Sequence, residues 1–191
     1  TDWKDIRLYM ETFRKQNLNF LEILFTPYFS INPLYFEQWA RLVQNREDIA
    51  RMNPYRAVKS MKGIALEKFH AMEHRYPTKV DIIDKYGHDG KQTSHLIRVD
   101  DYLTRYIAGE DYESCLHPTP SLVPRILAYK NQEVPLEEAR AEAKEVLAHT
   151  EAIADEFCAK HADEENVGCR WLLEDVSYEI MRIATLRELV K

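Results

Sequence analysis

The amino-acid sequence predicts a mainly α-helical protein, in which a bundle-like helical region is joined to one or two short strands. Glycine, which weakens helices, is rare, with only five among 191 residues. Apolar residues recur every three or four positions in the stretches between prolines, which is the spacing of one buried helix face. A composition of 45% hydrophobic and 11% aromatic residues provides for a folded core and excludes a disordered chain.

The first half of the chain is predicted to begin with a helix over residues 8–16. An apolar run at 20–25 is compatible with either a helix or a strand. Pro33 and Pro54 each follow an asparagine, and this pair marks a helix start because proline fits the first helical turn. The helix behind Pro54 is expected to extend to about Glu73, and its buried face contains Val58, Met61, Ala65, Phe69 and Met72.

The second half is predicted to consist of helices that follow a loop at 76–90, which holds a proline, two glycines and several charges. A helix over 91–107 is expected to end before Gly109, because glycine favours the C-terminal cap. Further helices are expected over 121–130, 135–161 and 169–190. The last of them is expected to bury six apolar residues, Trp171, Leu172, Val176, Ile180, Ile183 and Leu186.

The one segment with the character of a strand is Trp3–Leu8. A single strand is unstable in water and needs neighbours in a sheet, but no convincing partner follows in the sequence. Two interpretations stay open at this point. Either the segment is the first turn of a helix, or the other strands of its sheet precede Thr1. The sequence starts without methionine, which agrees with a processed chain or with a piece of a longer one.

The predicted helix over 91–107 carries two stripes of side chains. An apolar stripe is expected to face the core and consists of Leu96, Val99, Leu103, Tyr106 and Ile107. A largely cationic stripe consists of Lys91, His95, Arg98, Tyr102 and Arg105. Lys91 lies in the first turn, where the helix dipole already favours an anion, so a bound phosphate would explain a lysine there. The alternative is a solvated basic face that is neutralised by Asp89, Asp100 and Asp101.

Charge is unevenly distributed along the chain. Residues 1–110 hold 17 basic and 15 acidic side chains, whereas residues 111–191 hold 9 and 17. Within residues 45–79, eight basic residues face four acidic ones. A local basic surface attracts phosphates even when the net charge is −6. This segment leaves open a second class of function, a non-catalytic helical protein that contacts nucleic acid or a protein partner. It is also the composition of an ordinary solvated helix face.

Other reactive residue types show no established catalytic spacing. His70 and His74 are four residues apart on a predicted helix, but no third metal ligand is evident. The sequence has no nucleophile elbow and no glycine-rich phosphate loop. Three cysteines without CxxC spacing indicate a reducing, cytoplasmic environment. No uncharged apolar run approaches the roughly 18 residues of a membrane span, so no membrane contact is predicted.

Four segments, at residues 5–7, 17–25, 62–65 and 91–110, together resemble the nucleotidyltransferases of the DNA polymerase β superfamily, in particular a bacterial and phage branch with a helical region behind the catalytic sheet. Asp5-Ile6-Arg7 resembles the strand that carries a catalytic carboxylate of this superfamily. Residues 17–25 are similar to an NPN-x-LE-x-L-[FW] segment of that branch, with Leu18 in place of proline.

Two later segments extend the resemblance, in the same order along the chain. Lys62-Gly63 with Ala65 is similar to a Gly-Tyr-Ala helix, with Ile64 in place of tyrosine. The most specific match is residues 91–98 followed by Gly109-Glu110, which look like a K-x-A-x-H-L-I-R-L … T-G-E motif.

The resemblance implies transfer of a nucleotidyl group from an NTP, ATP first among them, to the hydroxyl of an unknown acceptor such as RNA or protein. Two Mg²⁺ ions stabilise the attacking and leaving oxygens in such reactions. It implies that Asp5 is a catalytic and metal-binding carboxylate and that Lys91 binds the β- and γ-phosphates. His95 and Arg98 would orient the same group, and Lys62 would add a further contact.

The resemblance also implies a domain organisation. Residues 1–30 would form the rear part of an α/β nucleotidyltransferase core, and residues 31–191 a helical domain. The Gly-Ser and Asp-x-Asp motifs that hold the metals in this superfamily are not in the sequence and are expected upstream of Asp5. Because one carboxylate cannot hold two Mg²⁺ ions, the chain as given is predicted to have little or no transferase activity.

Overall fold

The computed structural model of the chain describes residues 5–189, and within them the fold is helical without a strand. The α-helices are α1 (Ile6–Arg14), α2 (Leu18–Leu21), α3 (Phe36–Gln44), α4 (Arg46–Ala50), α5 (Pro54–Ala71), α6 (Val80–Tyr86), α7 (Gly90–Ile107), α8 (Tyr112–Cys115), α9 (Val123–Lys130), α10 (Leu136–Lys160) and α11 (Val167–Leu189). Short 3-10 turns occupy Glu22–Phe25, Pro33–Tyr35 and Pro120–Leu122. The predicted helical class is confirmed.

Of the two interpretations left open for the start of the chain, the first turn of a helix is confirmed, and the strand is wrong for the residues that the structure describes. Ile6, Arg7 and Leu8 form the first turn of α1. Asp5 is the N-cap of this helix, and its carboxylate accepts a hydrogen bond from the Arg7 backbone N–H at 2.9 Å. An aspartate that satisfies a free N–H group favours the start of a helix over a strand without partners. Trp3 and Lys4 lie outside the described residues.

Two further sequence interpretations are settled by the structure. The apolar run at 20–25 is helical, because α2 continues directly into the 3-10 turn Glu22–Phe25. The region predicted as a loop at 76–90 contains helix α6, which ends at Gly87 with a φ of +79°. A positive φ at this position suits glycine, so Gly87 marks the end of α6, whereas Gly90 is the first residue of α7.

The chain divides into two compact units, each described separately below. The first comprises Thr1–Ala57 and Asp163–Lys191, of which residues 5–57 and 163–189 are described, and the second comprises Val58–Ala162. This division does not coincide with residue 30, where the resemblance places the end of a nucleotidyltransferase core. That functional boundary stays a prediction.

The first unit is organised around helix α11, which packs against α1 and α3. Phe13 of α1 and Leu173 of α11 are fully buried in its core. Arg41 of α3 joins α11 through ion pairs with Asp175 at 2.6 Å and Glu179 at 2.9 Å. The face of α11 that is buried consists of Cys169, Leu173, Val176 and Ser177.

The buried face of α11 differs in part from the predicted one. Val176 is buried as expected, but Trp171 and Leu186 are 62% and 52% exposed. The reason is that α11 carries apolar residues around most of its circumference, so the sequence pattern does not select one face.

The second unit is organised around helix α7, which packs against α8, α9 and α10. The apolar stripe predicted for α7 is confirmed, since Leu96 and Leu103 are fully buried and Val99 and Tyr106 nearly so. Ile97 also clusters with buried residues of α9, α10 and the loop between them, Ile126, Tyr129, Val134 and Ala139. Across residues 5–189, every helix is too short or too polar to cross a bilayer.

Candidate functional site

The start of helix α7 is held rigidly by its neighbours. Asp89 is almost completely buried, and its carboxylate caps the helix by accepting a hydrogen bond from the Lys91 backbone N–H at 3.1 Å. Lys79 neutralises the same carboxylate at 3.2 Å. The backbone N–H of Gly90 donates to the side chain of Gln132 at 3.2 Å. These contacts fix the position from which the following cationic side chains extend.

Three of the predicted site residues lie together on the first half of α7. Lys91 and Arg98 are exposed, and His95 between them is half-buried. The pKa of His95 lies below its ordinary value, first because of burial and then because of the positive charges of Arg98, Lys68 and Lys91, while Asp89 acts in the opposite direction. The positive charges that lower the pKa of the imidazole therefore lie on its own helix and on α5.

The aspartates that could have neutralised this face are engaged elsewhere in the second unit. Asp100 accepts hydrogen bonds from Thr150 at 2.7 Å and from the ring of His149 at 2.8 Å. Asp101 accepts two hydrogen bonds from Thr119, at 2.9 and 2.6 Å.

Within residues 5–189, the side chains of Lys91 and Arg98 form no ion pair or hydrogen bond. Asp89, Asp100 and Asp101 therefore do not neutralise Lys91 and Arg98, whereas Arg105, further along the same stripe, pairs with Asp101 at 3.8 Å.

The cationic face is shorter than the sequence predicts. Tyr102, which belongs to the same stripe, is buried, and its ring packs against Tyr106 and Tyr112. Arg105 is directed to Glu110, with a hydrogen bond of 2.8 Å, and to the carbonyl oxygen of His117 at 2.6 Å. The face that remains open to solvent ends at Arg98.

Lys68 is the member of this cluster that the sequence did not single out. It lies on α5, is partly buried and pairs with Glu67 at 2.9 Å. Its charge nevertheless contributes to the lowered pKa of His95 on α7. No spacing rule connects two positions this far apart in the chain, so only the packing of the second unit brings them into range.

Lys62, the other lysine predicted to contact phosphate, is placed differently. Its ammonium group donates to both carboxylate oxygens of Asp155 on α10, at 2.7 and 2.8 Å. A phosphate at Lys62 would have to compete with this carboxylate. Unlike Lys91 and Arg98, Lys62 therefore has no unpaired charge to offer to a phosphate.

Asp5, the predicted catalytic and metal-binding carboxylate, belongs to the first unit, whereas the cations of α7 belong to the second. Its side chain pairs with Arg7 at 3.1 Å, and this hydrogen bond is the main reason why the pKa of Asp5 is lowered. Its metal and catalytic roles stay predictions from the resemblance.

The described residues do not fit a magnesium centre. A pair of Mg²⁺ ions needs several carboxylate oxygens in one place. Among residues 5–189, no group of three or more His, Cys, Asp or Glu side chains is arranged to hold a metal ion. The pair His70 and His74 likewise finds no third ligand, and the ring of His74 instead packs against Tyr76 with centroids 4.3 Å apart.

The basic segment 45–79 is largely neutralised by acidic neighbours, and each pair lies within one unit. The ion pairs are Arg51–Glu47, Arg56–Asp163, Lys62–Asp155, Lys68–Glu67, Arg75–Asp84 and Lys79–Asp89. A surface that attracts nucleic acid needs cations that are free to neutralise backbone phosphates. The composition of this segment therefore overstates the positive potential that it presents.

Together, the fold and the site define a helical chain with an open cationic face on α7. No protein-family model matches the chain, and no curated protein sequence or solved structure matches it either. Its function is therefore inferred from the residues themselves.

Proposed function

We propose that the second unit binds the polyphosphate group of a nucleoside triphosphate through Lys91, His95 and Arg98. In this proposal the chain supplies the phosphate-binding part of a nucleotidyltransferase, as its resemblance to the DNA polymerase β superfamily implies. The observation that carries the proposal is the pair of cations without carboxylate partners on either side of a half-buried imidazole.

The spacing of these residues suits an extended anion. Lys91 and Arg98 are seven residues apart, which corresponds to a rise of about 10 Å along the helix axis. Lys91 stands in the first turn, where the Asp89 carboxylate already caps its backbone N–H, so the ammonium group is the donor that Lys91 offers to the ligand. Arg98 offers a planar set of donors that matches two phosphate oxygens. His95 lies one turn from Lys91 and donates to phosphate when its ring is protonated.

In a transfer reaction, these groups would neutralise the negative charge of the triphosphate and hold it in one orientation. Stabilising the leaving pyrophosphate by such cations accelerates nucleotidyl transfer. The described carboxylates provide no site for the accompanying metal ions. We therefore expect the chain by itself to bind nucleotide and to show little or no transferase activity.

The direct test is calorimetric titration of the full chain with ATP, tripolyphosphate and inorganic phosphate. We expect tripolyphosphate and ATP to bind with similar affinities and inorganic phosphate to bind more weakly, since fewer oxygens reach the cations. Binding should also raise the temperature of unfolding with ligand concentration. Absence of both heat and stabilisation with ATP and tripolyphosphate would show that the cationic face is not a phosphate site.

The proposal also predicts that phosphate binding takes up a proton at His95. In the free protein, burial and the charges of Arg98, Lys68 and Lys91 hold the pKa of His95 below its ordinary value. A polyphosphate beside the ring adds negative charge and raises that pKa. Between the two pKa values the complex binds more protons than the free protein. Affinity should therefore increase as the pH falls through the pKa of His95 in the complex.

Proton uptake is measured by titrating tripolyphosphate in two buffers with different ionisation enthalpies. The control is His95→Gln, which keeps a polar side chain but does not titrate. Protonation of the ligand itself near a pH of about 6 weakens binding to both proteins. The difference between the wild type and His95→Gln therefore reports the protonation of the imidazole alone. Equal pH dependence in both proteins would exclude His95 as the group that is protonated.

The alternative function, a helical protein that contacts nucleic acid through residues 45–79, receives no support from the geometry. Six of the cations in that segment have carboxylate partners at 3.2 Å or less. The open charge is on α7 instead. A phosphate ligand at α7 accounts for that charge without a long basic surface.

A further inference from the structure

Helix α11 in the first unit has two apolar faces, and the described chain covers only one of them. The covered face contains Cys169, Leu173, Val176 and Ser177. The other face is exposed and contains Val167, Trp171, Tyr178 and Leu189, with Leu186 at its edge. Trp171 and Tyr178 are each 62% exposed and Leu189 is 77% exposed. Such a row of large apolar side chains is typical of an interaction surface.

The exposed apolar residues lie on one side of the helix, with Glu174 and Thr185 between them. At about 100° per residue, Val167, Trp171, Tyr178 and Leu189 fall within roughly 40° of one another. Contacts with α1 and α3 bury the opposite side of the helix. A helix that is apolar on two opposite sides is stable when both are buried. Within the described residues of the first unit, the second side has no cover.

We propose that a second copy of this chain covers the exposed face, so that two α11 helices pack antiparallel across a two-fold axis near Tyr178. This arrangement sets Tyr178 of one copy beside the same residue of the other. Trp171 lies about as many residues before the two-fold axis as Leu186 lies after it. Trp171 of one copy therefore meets Leu186 of the other copy across the interface. Exposed Trp and Tyr are the residue types that most often dominate the binding energy of such interfaces.

The charges beside the row are self-complementary in the antiparallel orientation. Asp175 lies three residues before Tyr178 and Arg182 four residues after it, and both lie on the same side of the apolar row. The two-fold axis therefore brings Asp175 of one copy near Arg182 of the other, twice per dimer. A parallel pair would instead place these residues of the two copies on opposite flanks of the interface, where Asp175 and Arg182 cannot pair.

Arg182 and one carboxylate oxygen of Asp175, Oδ1, are available for this contact, whereas Oδ2 of Asp175 binds Arg41. Arg182 is exposed and forms no ion pair within the described part of the chain. Asp175 is half-exposed, and its pair with Arg41 at 2.6 Å fixes the carboxylate at the edge of α11. The pair with Arg41 therefore fixes the position of the Asp175 carboxylate, and Arg182 of the second copy would form a second ion pair with it.

The test is the molar mass of the full chain, measured by sedimentation equilibrium over a range of concentrations. We expect a reversible dimer that Trp171→Gln weakens by about tenfold or more, the loss typical of a central aromatic contact. The matched control is Tyr28→Gln, because Tyr28 is an even more exposed aromatic residue of the same unit, at 89%, but lies outside α11. This control should leave the dimer unchanged.

A pair of charge reversals tests the orientation. Arg182→Glu should weaken the dimer by about tenfold, because it places a glutamate beside Asp175 of the other copy at both symmetry-related contacts. Arg187→Glu changes the charge of the same helix equally but lies away from the apolar row, so it should have little effect. Circular dichroism confirms that each variant keeps its helices. A monomer at all concentrations, or a dimer that Trp171→Gln and Arg182→Glu leave intact, would overturn the proposal.

Discussion

Replacing Lys91 and Arg98 together by glutamate is expected to weaken tripolyphosphate binding by at least about 100-fold. A hydrogen bond to a charged group contributes about 1.5–3 kcal/mol, and the double variant removes two such groups. It also places two negative charges beside the ligand. Neither side chain has a partner within the described residues, so the fold itself should lose little stability.

The measurement is a titration followed by calorimetry, with thermal unfolding as a check on folding. The matched control is Lys85→Glu with Arg187→Glu, which changes the net charge by the same amount at two exposed positions outside α7. If both double variants weaken binding equally, the anion responds to the total charge of the protein. The assignment of the site to α7 would then be wrong.

Replacing Gly90 by alanine is expected to destabilise the second unit by about 2–3 kcal/mol. A Cβ atom at this position would lie 2.2 Å from the backbone oxygen of Tyr129 and 2.9 Å from the Gln132 side chain. Tyr129 is fully buried in the core, so its backbone has little freedom to move away. Overpacking of this kind typically costs 1–3 kcal/mol, and the hydrogen bond from Gly90 to Gln132 would be strained as well.

The measurement is unfolding in urea, and the matched control is Gly63→Ala. Gly63 lies inside α5, and a Cβ atom there would meet nothing within 4 Å. Alanine is the better helix former by about 0.5–1 kcal/mol, so this variant should be slightly more stable than the wild type. Equal stability of the two variants would mean that α7 does not approach Tyr129 as closely as the structure has it.

Both predictions concern α7, and the sequence located that helix well. The apolar stripe of α7 and its end before Gly109 agree with the structure. Helices α5, α10 and α11 also lie close to their predicted positions. These features depend on local rules, since apolar period and the backbone preferences of proline and glycine act over a few residues. Such rules need no knowledge of distant contacts.

The wrong predictions involve competition between local patterns. The segment around Asp5 alternates like a strand, but a side-chain hydrogen bond to the Arg7 backbone N–H starts a helix there. Trp171 was expected in the core because α11 is apolar on more than one side. Only the positions of α1 and α3 decide which side is covered. The sequence pattern alone is equally compatible with the burial of either side of α11.

The candidate site divides in the same way. Lys91, His95 and Arg98 share one helix face, and their spacing alone determined that they lie together. Only the tertiary structure decided that Asp100 and Asp101 bind Thr150 and Thr119. It likewise decided that Lys68 comes close to His95, while Lys62 is neutralised by Asp155. Charge neutralisation depends on distances across the fold, which residue order along the chain does not specify.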